Sequence, residues 1–509
     1  MSGYLRRLAT TGAAYTAASI FSKVIAVALL PLYTRYLSTE DYGYAEVLFA
    51  AVVTASIIVR FGLLEAILRF YYLPEEDPAK VVSSTFAGLF WLSTLGALVA
   101  LPFAGPLSEL LLDESAPELM RIAIGGLWVL TMWEFMLTLF RLEERARAFF
   151  VTTILNVVAA IALTVVLVVG FDEGARGLLV GSYATGGAFV LALIALRRRS
   201  LSLRFDRELL RRLFRFGLPT MPAEVSLYGL NFVDRLIIFR SLGAAEAGLY
   251  SLGVKFAQGI NVLVRGFQLA WPPLAYSIRD DGEARRAYAT VVTLFTAGCA
   301  FVVAGMWLLS RWIVRALADP KFFDSYEVIG LISTAVTLYA LYLVLVVILG
   351  RTGRTEFNLP AAIGALVVNV ALNLVLVPPL GIVGAGLALV ASYLVVLGLM
   401  YAFTQRLFPV PYEWGRLLRV VLTVAAIVGL AELLVPTDGL DGLLLRAVLL
   451  AVYPLMLWAT GFFSDEERRW ISRLREPRAV MASLRAEPAV DGRIPETYEV
   501  ERMDEDARN

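Results

Sequence analysis

Four cations stand in stretches of sequence that are otherwise apolar: Lys23, Arg60, Lys255 and Arg265. A charge in such surroundings pairs with a nearby acid or faces a water-filled space, where it can hold an anion. Guanidinium forks match phosphate oxygens two at a time, whereas an ammonium acts as a point charge. Glu134, Glu224 and Asp234, the last beside Arg235, occupy similar stretches and are candidates for balancing these cations or for binding a coupling ion. Pro219 and Pro222 flank the approach to Glu224. Proline interrupts the hydrogen-bond ladder of a helix, which makes this pair a candidate hinge. Asn369 and Asn373 lie one turn apart and share a helix face, while Glu65 and Arg69 have the i,i+4 spacing of a surface ion pair.

Other chemistry is excluded by composition. Histidine is absent and Cys299 is the only cysteine, so an intrachain disulfide and His/Cys zinc sites are ruled out. No phosphate-cradling P-loop occurs, and a net charge of +1 gives no bulk attraction to nucleic acid. Nothing here reads as an enzyme.

The elements that must carry these residues are membrane helices. Hydrophobic residues make up 59% of the 509 and charged residues 17%, against roughly 25% charged in an ordinary soluble domain. The apolar runs recur at lengths of roughly 20 residues, the number an α-helix needs to cross a hydrocarbon layer. Fourteen spans are expected, at approximately 10–33, 44–68, 82–104, 120–140, 150–170, 177–196, 216–239, 247–270, 287–310, 327–349, 357–377, 382–404, 416–435 and 442–462. The stretch before Arg35 reads as a retained first span rather than a cleaved signal. Trp271-Pro272-Pro273 reads as an interfacial stop.

Arginines orient the set. Loops after even-numbered spans hold Arg141, Arg145, Arg147, Arg279, Arg285, Arg286, Arg351 and Arg354, together with eight arginines between Arg197 and Arg215. Loops after odd-numbered spans carry mostly acids or single arginines, with Arg311, Arg315 and Lys321 as the exception. The bias puts both termini in the cytoplasm. The tail from Ser464 reads as a surface helix followed by disorder.

The chain also repeats itself. Arg35, Leu37, Asp41 and Gly43 after the first span match Arg240, Leu242, Glu246 and Gly248 after the seventh, 205 residues on. At that shift Arg60 falls on Arg265 and Lys80 on Arg285. Six helices per copy make both copies enter the membrane in the same sense, related by an axis along the membrane normal. The expected division is 1–196 (first lobe), 197–215 (basic cytoplasmic linker), 216–405 (second lobe), 406–463 (two extra spans) and 464–509 (tail). If the first two helices of each copy line the cleft between lobes, Lys23, Arg60, Lys255 and Arg265 make it cationic at several depths.

Several segments carry a family resemblance. Pro31-Leu-Tyr-Thr-Arg-Tyr-Leu-Ser-Thr-Glu-Asp-Tyr-Gly43 resembles the segment after the first helix of Wzx-type polysaccharide flippases, members of the multidrug/oligosaccharidyl-lipid/polysaccharide (MOP) exporter superfamily. Phe61-Gly-Leu-Leu-Glu-Ala-Ile-Leu-Arg69-Phe-Tyr-Tyr72 is similar to their second-helix ending, and Phe216-Gly-Leu-Pro219 with Asp234-Arg235 to their seventh helix. Asn369-Val-Ala-Leu-Asn373 through Pro378, with Gly381-Ile-Val-Gly384, resembles their eleventh-to-twelfth junction.

Over residues 5–405 the resemblance implies an all-α, V-shaped MOP/MATE-like fold of two six-helix lobes working by alternating access. It implies flipping of an undecaprenyl-pyrophosphate-linked oligosaccharide from the cytoplasmic to the outer leaflet of the bacterial inner membrane, for polysaccharide export. Lys23, Arg60 and Arg265 sit where the cavity cations of such proteins are expected. No cofactor is implied beyond a coupling ion, H+ or Na+; partners would be the lipid-linked oligosaccharide, the bilayer and a polysaccharide polymerase or biosynthetic complex. A lipid II flippase and a multidrug/cation antiporter of the same superfamily are the alternatives. The antiporter would use an intramembrane acid in the first lobe, where span 1 offers Lys23 and only Glu134 answers the description.

Overall fold

The computed structural model describes residues 27–465, 467 and 468, and every regular element among them is helical. The helices are α1 (Leu30–Tyr36), α2 (Thr39–Arg60), α3 (Leu63–Phe70), α4 (Pro78–Ala100), α5 (Ala104–Leu112), α6 (Pro117–Leu142), α7 (Ala146–Val165), α8 (Gly174–Leu196), α9 (Arg207–Gly217), α10 (Met221–Leu242), α11 (Ala244–Ala257), α12 (Asn261–Ser277), α13 (Asp281–Leu317), α14 (Tyr326–Arg351), α15 (Asn358–Leu407), α16 (Trp414–Leu434) and α17 (Gly439–Ala459). The chain divides into two compact units, 1–453 and 454–509; the packing and the site described below belong to the first.

Local signals account for the helix ends. Ser38 and Asp41 form a reciprocal capping box at the start of α2, satisfying two amides that the helix leaves free. Asp77, Asp206 and Asp280 cap α4, α9 and α13 through their carboxylates. Phe61 and Gly62 turn left-handed, at φ +47° and +70°, and separate α2 from α3. The span expected at 44–68 is therefore two helices, and the residue that allows the turn is a glycine inside an apolar run.

Among the described residues, ten helical segments are long and apolar enough to cross a membrane. One of them, α15, is 50 residues long and is interrupted at Gly381 (φ +60°, ψ −145°), just after Pro378 and Pro379, so it supplies two crossings. Helix α10 and the consecutive α11 and α12 fill the places of spans 7 and 8, too polar or too broken to register by apolarity alone. The described helices are thus compatible with fourteen spans, the first of which lies mostly outside the described residues. One expectation fails outright: α12 continues through Pro272 and Pro273 to Ser277. Trp271 is buried there, packed flat against Phe267 and edge-on to Tyr288, so packing outweighs the stop signal.

Helices α2–α8 pack among themselves, as do α10–α15, and α2 bridges the two sets by lying on α10 and α11. At the α2–α11 crossing, side chains are missing where backbones meet. A β-carbon on Gly43 would strike the Ala244 carbonyl, and one on Gly248 would strike the Thr39 carbonyl. Thr39 and Ala244, like Gly43 and Gly248, are 205 residues apart. The contact is therefore reciprocal, which is what a two-fold relation between the copies requires. A second glycine crossing joins Gly62, at the α2/α3 break, to Gly217 at the end of α9. Helix α9 buries Leu209, Leu210 and Leu213 against α3 and α4, and Leu218, Pro219 and Thr220 form an exposed turn before α10.

Candidate functional site

Where α2, α3 and α6 face α10, they enclose a cavity of about 270 Å³. The last turns of α2 supply Ser56 and Arg60, α3 supplies Glu65, α6 supplies Glu134, Thr138 and Arg141, and α10 supplies Glu224 and Tyr228. Arg60 is the centre of this arrangement. Its Nε donates to the Ser56 carbonyl at 3.1 Å, and its Nη2 lies 3.8 Å from Glu224 Oε1 across the junction between the helix sets. Arg141 donates to Thr138 Oγ1 at 2.8 Å. Arg265 on α12 is exposed and is not among the residues that line the cavity. Tyr228 shares the cavity lining with Arg60, Glu134 and Glu224.

The lining is mixed rather than simply cationic. Two guanidiniums, Arg60 and Arg141, share the cavity with three carboxylates, Glu65, Glu134 and Glu224. Glu65 faces this space, while its expected partner Arg69 lies over the Phe216 ring at 4.7 Å. A second cavity of about 280 Å³, toward the Thr39 end of the same helices, is bordered by Leu48, Ile58, Leu107, Leu127 and Phe232 and is almost wholly apolar. One cavity is thus polar, around Arg60, and the other apolar, beside Leu48.

The remaining candidates sit apart from the cavity. Lys255 Nζ is 2.5 Å from Glu46 Oε1 and 4.7 Å from the centre of the Tyr42 ring, and Arg235 Nη2 is 3.8 Å from the other oxygen of Glu46. Arg235 also donates to Ser251 Oγ at 3.0 Å and to the Asn231 carbonyl at 2.9 Å. A single buried carboxylate on α2 thereby ties together cations of α10 and α11. Asp234, fully buried, accepts from Tyr250 at 2.9 Å, Asn369 at 2.9 Å and Asn373 at 2.8 Å. The Oδ1 atoms of both asparagines have no hydrogen-bond partner. Pro222 occupies the first turn of α10, where its missing N–H costs nothing, and Pro219 lies in the exposed turn before it; neither interrupts a helix. Lys23 lies outside the described residues.

Three participants were not singled out from sequence: Glu46, Arg141 and Tyr228. Glu46 was detectable in principle as an acid seven residues inside an apolar helix, but its partners are some 200 positions away. Arg141 reads as an ordinary loop arginine until α6 is seen to carry it to the cavity. Among the described residues no cluster of three or more Asp, Glu, His or Cys could hold a metal ion.

Paired helix sets joined face to face, with a polar cavity at the junction, define a polytopic membrane protein of the transporter kind. The fold matches the lipid II flippase MurJ in an inward closed conformation with a TM-score of 0.68 at 13% identity, covering 88% of this chain and 99% of that one. It also matches an inward-facing multidrug resistance MATE transporter of the MOP superfamily, with a TM-score of 0.60 at 16% identity over 80% and 96% of the two chains. Residues 9–276, more than half of the chain, match the model of the Polysaccharide biosynthesis protein family, and the chain belongs to that family. It is similar to the succinoglycan biosynthesis transport protein ExoT of Rhizobium meliloti (strain 1021), 24% identical over 313 residues, a match spanning 60% of this chain and 61% of that protein. Lsg locus putative protein 1 of Haemophilus influenzae is 21% identical over 388 residues, 73% of this chain and 93% of that one.

Proposed function

We propose that this protein flips a lipid-linked saccharide across the bacterial inner membrane, with both termini in the cytoplasm, carrying an undecaprenyl-pyrophosphate-linked oligosaccharide outward for polysaccharide export. The observation that carries this reading is the polar cavity at the junction of the helix sets, where Arg60 faces Glu224 and Tyr228 and the repeat-related Arg265 stands exposed on the other set. Two guanidiniums separated by a junction that opens and closes are suited to a pyrophosphate, whose two groups of oxygens can engage one fork each. Family membership and the ExoT likeness agree with a polysaccharide cargo, and the MurJ likeness with a fold that handles lipid-linked substrates.

In the resting arrangement Glu224 stands in for the anion at Arg60. A substrate phosphate takes its place, Tyr228 is positioned to donate to the same oxygens, and the polyprenyl tail stays in lipid. Lys255 is held by Glu46 and acts in positioning α11 against α2 rather than in binding. Asp234 with Asn369 and Asn373 is the candidate seat of a coupling cation. Their amides donate to the carboxylate as they stand, and turned over they would offer an all-oxygen set suited to Na+.

The three cavity carboxylates favour a second reading, a cation antiporter. Translocation of a fluorescent polyprenyl-pyrophosphate oligosaccharide in proteoliposomes separates the two. Transport by the unmodified protein and its loss in folded Arg60→Ala/Arg265→Ala supports the flippase. Normal transport by the double variant removes the proposed site, and export of organic cations without lipid flipping selects the antiporter.

A further inference from the structure

Six arginines between helices α8 and α10 have no role in the cavity. Arg198, Arg199, Arg204, Arg207, Arg211 and Arg215 are exposed, and none has an acidic partner within ion-pair distance among the described residues. Their neighbours Arg197 and Arg212 do, in Glu143 and Glu76. Exposed apolar side chains interleave with the six: Leu196 at 81% exposure, Leu203 at 45% and Phe205 at 41%. In water this mixture is unfavourable. At a membrane surface it is not, because apolar groups enter the acyl boundary while guanidiniums meet headgroup phosphates.

The depth of the segment is marked independently. The Trp91 indole of α4 donates to the Leu203 carbonyl at 3.2 Å. Trp91 begins the exposed apolar face of α4 that continues through Leu95, Leu98 and Val99, and tryptophan concentrates at the membrane–water boundary. From Val81 to Phe90, by contrast, no α4 residue is exposed, and α9 is among the elements packed there. Leu203 is thereby tied to a residue type of the membrane–water boundary, with the arginines on either side of it.

We propose that residues 196–215 form a docking surface for anionic phospholipid headgroups of the leaflet they face, carried by Arg198, Arg199, Arg204, Arg207, Arg211 and Arg215. Helix α9 turns its leucines to α3 and α4, so its free face is basic and the lipid contact is electrostatic at the helix and apolar at Leu203 and Phe205. Each arginine near an anionic surface is worth roughly fivefold in partitioning. The surface does not depend on what the protein transports.

The test titrates the full-length protein in neutral detergent with short-chain phosphatidylglycerol or phosphatidylcholine, reading the thermal unfolding midpoint. Phosphatidylglycerol should stabilise at lower concentration than phosphatidylcholine, and R204Q/R207Q/R211Q/R215Q should raise its half-effective concentration on the order of several hundredfold. The variant should unfold at the unmodified temperature in phosphatidylcholine, since none of the four side chains is buried. Equal responses to both lipids, or to phosphatidylglycerol by both proteins, overturn the proposal. So does equal stabilisation by inorganic phosphate at matched ionic strength, which would mark a site for soluble anions. A wild-type protein indifferent to phosphatidylglycerol would assign the arginines to a macromolecular partner and likewise overturn it.

Discussion

Replacing Gly43 by alanine inserts one methyl group where α2 crosses α11, and the structure sets what that does. The new β-carbon would meet the Ala244 carbonyl and would lie 3.1 Å from the Gly248 amide nitrogen. Both are backbone atoms, so no rotamer change relieves the overlap and the helices must separate. Overpacking of this kind costs roughly 1–3 kcal/mol. If alternating access opens this crossing, the cost falls on the closed state alone and the open population rises by about 5- to 150-fold. Ala247, fully buried beside the crossing, can report it. With Cys299→Ser in the background, Ala247→Cys should react slowly with a hydrophilic maleimide in nanodiscs and about 5- to 150-fold faster when Gly43→Ala or Gly248→Ala is added. Gly125→Ala on α6 is the control: nothing lies within 4 Å of its β-carbon position, and alanine there should leave labelling unchanged. A lower unfolding temperature with no gain in labelling would put the crossing in a permanently closed core, and the reasoning would be refuted.

Two further outcomes are expected. Glu46→Gln strands Lys255 and Arg235 with a neutral partner, and loss of one side of a buried pair costs on the order of 3–5 kcal/mol. Glu46→Gln/Lys255→Gln should recover part of that, a coupling measurable by thermal unfolding in a double-mutant cycle; additive losses would contradict the pairing. Asp234→Asn removes the charge but keeps the shape of the α10–α15 contact, so it should abolish any sodium dependence of stability while the protein remains folded. Sodium stabilisation that persists in the variant would move the cation elsewhere.

How much of this was legible in the sequence follows the range of each signal. Apolar runs are local, so helices α4, α6 to α8 and α13 to α17 were expected close to where they occur, whereas the short α5 was not. The 205-residue repeat was legible as residue identity, and its glycines prove to be the points where the copies touch. Arg60 and Arg265 were visible as a repeat-related pair, yet Glu224 as the partner of Arg60 was not, because pairing depends on which faces of α2 and α10 meet. The same limit hid Glu46, whose bond to Lys255 links α2 to α11. Phe61-Gly62 shows the opposite failure: the break is local, but an aromatic residue and a glycine in an apolar run look alike whether the helix continues or stops.

The turn at Leu218, Pro219 and Thr220 has a consequence for how the gene can be divided. Helix α9 lies after the first set in the chain and rests on that set, and the exposed turn follows it directly. A break in the exposed turn would cut no helix and would leave α9 seated on its own neighbours. Two co-expressed fragments, 1–217 and 218–509, would each keep their helices whole and could re-form the α2–α10 and α2–α11 contacts by diffusion in the plane of the membrane.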